Sequence, residues 1–184
     1  MVAMSSPSTP GADVSVRVAW SDDAEAIAAV QTRAWREMYA GLLPVQGLVI
    51  DPEAWRPSLA RSKDARNRVL VALERNRVVG FALTTPATDP DCDPVSDGEL
   101  SDLTVDPPER GKGHGSRLLQ AAVDTMVADR FTRAVTWTLA TDDATRAFLD
   151  VAGWAPDTAH RELDLDGSGG TTVKQIRLHT ALAP

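Results

Sequence analysis

"VDPPERGKGHGSRLLQAAV", residues 105–123, sets glycines at 111, 113 and 115 between two basic residues and then begins an apolar helical repeat. Glycine in a strand-to-helix turn costs conformational entropy, so three of them indicate special backbone angles or a closely approaching ligand. The helix that follows leaves its first amides unpaired and aimed into the turn. An anion is the natural occupant of such a place.

Working outward, "ELSDLTV" (99–105) reads as the strand that feeds the turn, and Leu118, Leu119, Ala122, Val123 and Met126 form the buried face of the helix that leaves it. Upstream, "VSVRVAW" (14–20) alternates as a strand, and Ile27, Val30, Ala34 and Met38 recur at helical spacing. Asp22-x-x-Glu25 resembles a capping box for that helix. Asp51-Pro52 opens a shorter helix that Pro57 interrupts. Val69–Leu73 and Val78–Thr84 form a hairpin with Asn76 in the tight position. Residues 86–98 are a turn-rich loop. Downstream come a strand over 134–140, a helix capped by Thr141 and closed by Gly153, and a final hairpin around "DGSGG". The order β-α-α-β-β-β-α-β-α-β-β gives a mixed α/β layer with helices on its faces.

The whole chain sets the bounds. Its 184 residues suit one core, expected over 14–184, with Met1–Asp13, rich in Ser, Pro and Gly, read as a disordered leader. No apolar run is long enough to span a bilayer. Cys92 stands alone, so no internal disulfide forms, which fits a reducing cytoplasm. The net charge of −7 argues against nucleic acid as a partner. Three histidines and one cysteine show no zinc spacing, so no metal is expected.

Three glycine-rich signatures compete for the central turn. A Walker loop needs Ser or Thr after Gly-Lys, and Lys112 is followed by Gly113. A dinucleotide fingerprint needs a glycine where Ser116 stands. The remaining pattern, R-x-x-G-x-G at Arg110–Gly115, resembles the signature of the GNAT superfamily of N-acetyltransferases. "DDATRAFLDVAGW" (142–154) resembles the later motif of that family, with Asp142 for the usual Asn and Leu149 for the usual Tyr. "AWREMYAGLLP" (34–44) resembles one branch of it.

The resemblance implies a mostly antiparallel sheet of about seven strands flanked by about four helices, and acetyl-coenzyme A as cosubstrate. It implies that the amides of Gly111, Lys112, Gly113, His114, Gly115 and Ser116 cradle the pyrophosphate, with Arg110, Lys112 and Arg117 as nearby cations. The backbone of Leu103, Thr104 and Val105 would pair with the pantetheine arm where a bulge splays the strands, and Asp142 and Phe148 would border the coenzyme. Many relatives pair, and the closing hairpin carries apolar positions, so a homodimer is expected.

Acyl transfer needs an uncharged amine, which costs about 4–5 kcal/mol at pH 7 for a lysine-like amine and about 1 for an α-amine. Glu99, six residues before Val105, has the spacing of the general base in several members of the family. A surface carboxylate at a strand end is the plainer reading. Simple alternation puts Asp102 on the opposite face. Trp35 and Tyr39, one helical turn apart, would wall the acceptor pocket or simply pack. Two functions follow. One is an acetyltransferase moving acetyl directly to a small-molecule or peptide amine in a ternary complex. The other is a non-catalytic acetyl-coenzyme A sensor or scaffold.

Overall fold

A computed structural model of the chain describes residues 14–60 and 64–183. The expected leader, residues 1–13, lies outside the described residues. The strands are β1 (Val14–Val18), β2 (Arg68–Glu74), β3 (Arg77–Pro86), β4 (Asp97–Val105), β5 (Arg133–Leu139), β6 (Ala155–Asp164) and β7 (Thr172–Ala181). The helices are α1 (Ala24–Met38), α2 (Arg56–Leu59), α3 (His114–Ala128) and α4 (Asp143–Val151). One seven-stranded sheet has the order β1-β2-β3-β4-β5-β7-β6, and only β4 and β5 run parallel. The expected count, order and mostly antiparallel character all hold. No helix among the described residues is long and apolar enough to cross a membrane.

Each face of the sheet buries one cluster. Leu118, Leu119, Ala122 and Met126 of α3 pack on Leu70, Ala82, Leu100 and Ala134, together with Leu149 and Trp154 from the α4 region. Each such side chain stabilises the fold by about 1.5–3 kcal/mol when fully buried. The other face carries Ile27, Ala28 and Val30 of α1, with Trp55 edge-on to Phe81 at 5.0 Å between ring centroids. Gly80 lets α3 come close: a Cβ there would meet the Thr104 carbonyl oxygen at 2.7 Å and Leu118 Cδ1 at 3.0 Å.

Local signals mostly form as expected. Arg75 and Asn76 take positive φ angles of 49° and 65° in the β2–β3 hairpin, and Gly153 ends α4 at φ 86°. Three details differ. The N-cap of α1 is Asp23, whose carboxylate accepts from the Trp20 amide at 2.6 Å and pairs with Arg17, so the Asp22–Glu25 box does not form. Asp142, not Thr141, caps α4. Pro57 sits in the first turn of α2, where its missing amide costs nothing, and a separate 3₁₀ turn over Pro52–Ala54 precedes it.

The loop expected over 86–98 is shorter, 87–96, because Pro86 and Gly98 already pair, and it is held down by a buried cation. Arg177 on β7 is 3% exposed and binds Asp89, Asp91 and Asp157, the last from β6. Its hydrogen bond holds the Asp91 carboxyl down at about 2.

Candidate active site

The site begins where β4 and β5 part. They pair only from Asp97↔Arg133 to Glu99↔Val135, and the Thr136 hydroxyl then donates to the Leu100 carbonyl at 2.7 Å. Beyond that point Leu103, Thr104 and Val105 stay paired with Ala82, Phe81 and Gly80 of β3 but have no partner on β5. Their β5-facing edge is therefore a free row of amides and carbonyls, which an extended ligand can join as an added strand.

The same opening leads to the glycine turn. Gly111 and Gly113 take φ angles of 77° and 82°, the left-handed region that excludes most side chains. Gly113 is the N-cap of α3, and no side chain caps that helix. The first amides of α3, with about half a positive charge between them, are thus left to whatever lies in the turn. Gly115 is helical. A Cβ there would touch Phe148 at 3.6 Å and Val105 at 3.7 Å, ordinary contacts that the fold tolerates. Its bareness keeps the floor of the turn open rather than relieving a clash, so the turn fits a bulky anion such as pyrophosphate.

These parts border one cleft of about 740 Å³, a size normal for a cofactor site. Leu103–Val105 form one wall, and Arg110, Gly111 and Gly113–Ser116 form the end. Leu139, Thr141, Asp142, Ala144, Thr145 and Phe148 close the far side, and Ala34, Glu37 and Met38 of α1 close the near side. Asp142 is spent on α4, accepting from the Thr145 amide at 3.0 Å and hydroxyl at 2.6 Å. Arg110 pairs with Glu37 across the cleft. Glu37 is a cleft residue the sequence reading missed; it lies one position before Met38 in "AWREMY", where it reads as an ordinary exposed helix carboxylate.

Two cationic positions of the turn behave differently from Arg110. Lys112 does not line the cleft; its ammonium pairs with Glu109, which does border it and which Arg77 also holds at 2.7 Å. Those two bonds, Lys112 first, push the Glu109 carboxyl down to about 2. The His114 ring is buried, with Nε2 3.1 Å from a Glu74 carboxylate oxygen, so only its backbone is available to the turn. Arg117 folds back to donate to the Lys112 carbonyl at 3.2 Å.

Acid–base groups lie on the α1 face of β4. The register with β3 slips between Leu83 and Thr84, which leaves Ser101 as an extra residue. Leu100, Leu103 and Val105 consequently all pack toward α3, although Leu103 stands three positions, an odd step, beyond Leu100. Glu99, Asp102 and Thr104 are left together on the other face. The expectation that Asp102 opposes Glu99 is therefore wrong: the bulge rephases the strand. Burial raises the Glu99 pKa, and the Asp89 charge adds to it, against the pull of Arg161 and Arg177. Burial pushes the Asp102 carboxyl up to about 6, although it accepts the Thr104 hydroxyl at 2.7 Å. Tyr39 is raised by burial and then by the Asp102 charge. Trp35 meets Tyr39 edge-on at 5.8 Å. Glu99, Trp35 and Tyr39 do not line the coenzyme-sized cleft. Leu149 is 2% exposed, packed in the α3 cluster and also outside it.

Comparison with known proteins gives the family and the fold. The profile of the acetyltransferase (GNAT) family matches residues 32–154. A search of curated protein sequences returns no significant match. Among solved structures, the chain is similar to a ribosomal-protein-alanine N-acetyltransferase from Brucella melitensis, with 21% identity over 91% of this chain and 99% of that one and a TM-score of 0.74. It is similar to yncA from Salmonella typhimurium, determined with its cofactor acetyl-CoA, with 18% identity, 93% and 95% coverage and a TM-score of 0.66. It is also similar to a PaiA N-acetyltransferase from Thermoplasma acidophilum in complex with coenzyme A, with 17% identity, 91% and 98% coverage and a TM-score of 0.68.

Proposed function

Because the chain belongs to the GNAT family of acetyltransferases, we propose that it binds acetyl-coenzyme A in the split between β4 and β5 and passes acetyl directly to an amine. The observation that carries this reading is the uncapped, glycine-started helix α3 opening onto a cleft beside the unpaired edge of β4. The coenzyme, when bound, supplies the acetyl group as a thioester and leaves as a free thiol. The amides of the turn, from Gly111 to Ser116, hold the pyrophosphate, helped by Arg110. The edge of Leu103–Val105 orients the pantetheine arm, and Asp142 and Phe148 border it.

Glu99 takes the proton from the acceptor ammonium, directly or through water, so that a neutral nitrogen attacks. Its raised pKa suits the task, because a base closer to the amine in strength accepts the proton at lower cost. The sign is fixed: Glu99 works only once ionised, so activity rises with pH through a value above that of an ordinary carboxylate. Trp35 and Tyr39 wall the acceptor side. A non-catalytic sensor is the second reading, favoured by the absence of a phenol at position 149.

Release of free thiol from acetyl-coenzyme A, measured over a panel of amines, separates the two. We expect amine-dependent release, slowed about 10²- to 10⁴-fold in kcat by Glu99→Gln with coenzyme affinity kept. The defect should shrink at high pH, where the amine is already neutral, and should be smaller for α-amines than for lysine-like ones. An active Glu99→Gln enzyme with the wild-type pH profile removes Glu99 from the mechanism. Binding of the coenzyme without any amine-dependent release establishes the sensor.

A further inference from the structure

The face of the sheet that carries Glu99 also carries an exposed guanidinium, Arg161, that makes no salt bridge among the described residues. Val135, the β5 partner of Glu99, is followed two residues on by Trp137, which lies on the same face and opposite Arg177 of β7. The Arg161 guanidinium from β6 covers the Trp137 ring at 4.2 Å from its centroid. Arg161 donates from Nε to the Gln175 side-chain oxygen at 2.7 Å, and among the described residues no carboxylate pairs with it. Its surroundings make that unusual. Asp89, Asp91 and Asp157 are all committed to Arg177, and Asp157 and Asp97 serve Arg133. Those four aspartates pair with buried Arg177 and half-buried Arg133, and exposed Arg161 makes no such pair among the described residues. Trp137 is half-buried and donates its ring N–H to Asp89 at 3.0 Å, so the platform beneath Arg161 is fixed.

A guanidinium set over an aromatic ring, with its two terminal nitrogens unspent among the described residues, presents a fork that matches a planar oxyanion. Glu99, on the strand next to Trp137 and on the same face, attracts an ammonium, and its carboxyl feels the Arg161 charge. We infer that Arg161 on Trp137 is the acceptor's anion subsite, and that the acceptor is a small α-amino-acid-type molecule bearing a carboxylate beside its amine. This rests on the transferase reading above. Arg161 fixes the carboxylate, Glu99 faces the amine, and an acceptor lacking the carboxylate loses one of its two anchors.

The test pairs α-amino acids with their own carboxamides as acceptors, with rates corrected for the fraction of neutral amine. Wild-type protein should favour the acid by roughly ten- to hundredfold in kcat/KM, the range of a hydrogen bond to a charged group. Arg161→Met keeps an apolar stem on Trp137 and should erase that preference by raising KM for the acid relative to the carboxamide, compared at a pH where Glu99 is ionised in both proteins. Arg161→Lys should restore part of it, as a point charge without the fork. Equal use of acid and carboxamide by the wild type, or equal slowing of both by Arg161→Met, overturns the inference and leaves the transferase reading standing. No thiol release with any amine overturns the transferase reading instead. Calorimetric titration of the amino acids into coenzyme A-loaded protein then still decides the subsite: binding weakened by Arg161→Met supports it, and binding unchanged by that variant removes it.

Discussion

Asp102→Asn should make the protein more stable, and only at neutral and alkaline pH. The Asp102 carboxyl sits at the bulge of β4, with the Thr104 hydroxyl and the Leu103 amide as hydrogen-bond donors and no cation paired to it among the described residues. Burial lifts it from 3.8 to about 6. The folded value lies above the unfolded one, so the favourable, protonated form is fully present below about pH 4, and its contribution is lost as pH rises through about 6. Above both values the ionised carboxylate costs the fold up to about 3 kcal/mol. Asn is neutral throughout and keeps an oxygen for Thr104, so the variant escapes that cost. A gain of about 2–3 kcal/mol at pH 8 corresponds to roughly 5–10 °C in Tm for a chain of this size. At pH 4 the gain should nearly vanish. Urea unfolding followed by tryptophan fluorescence at both pH values measures it. An unchanged midpoint at pH 8, or an equal gain at pH 4, refutes the reasoning. If the carboxylate also helps to remove the acceptor's proton, the stabilised variant loses kcat/KM above pH 6.

Two further substitutions probe the coenzyme half. Gly113→Asp places a negative side chain at the left-handed N-cap of α3, and should weaken acetyl-coenzyme A binding at least tenfold in calorimetry while far-ultraviolet circular dichroism stays native; unchanged affinity in the folded variant removes the turn from the site. Leu149→Tyr restores the family's usual residue, but Leu149 is 2% exposed within the α3 cluster. Overpacking should therefore cost about 1–3 kcal/mol in urea unfolding, and a neutral or stabilising result would show that the phenol finds room toward the cleft.

How much of this was legible before the structure depends on how local the cause is. The glycine turn is written in consecutive residues: positive φ at Gly111 and Gly113, bare floor at Gly115, and an apolar helix immediately after. Periodicity placed α1 and α3, and turn chemistry placed the β2–β3 hairpin, because each depends on neighbours in sequence. What escaped depends on distant partners. Lys112 reads as a phosphate ligand until Glu109 and Arg77 are seen to form a fixed group with it. Arg177 reads as one more surface base until three aspartates from the 87–96 loop and β6 are found around it. The largest error came from one residue. Alternation along "ELSDLTV" separates Glu99 from Asp102, and nothing in those seven letters marks Ser101 as extra. The slip is set by pairing with β3, where Leu100 and Leu103 must both reach the α3 core. That same slip turns Asp102 and Thr104 toward α1 and joins Glu99 to them. On the proposed reading, the coenzyme half of the site is thus a property of the motif, while the acceptor half is a property of the sheet. Chains that share the turn would then differ freely in what they acetylate, because the residues proposed to face the amine are chosen by register and by the neighbours of β4, β5 and β6.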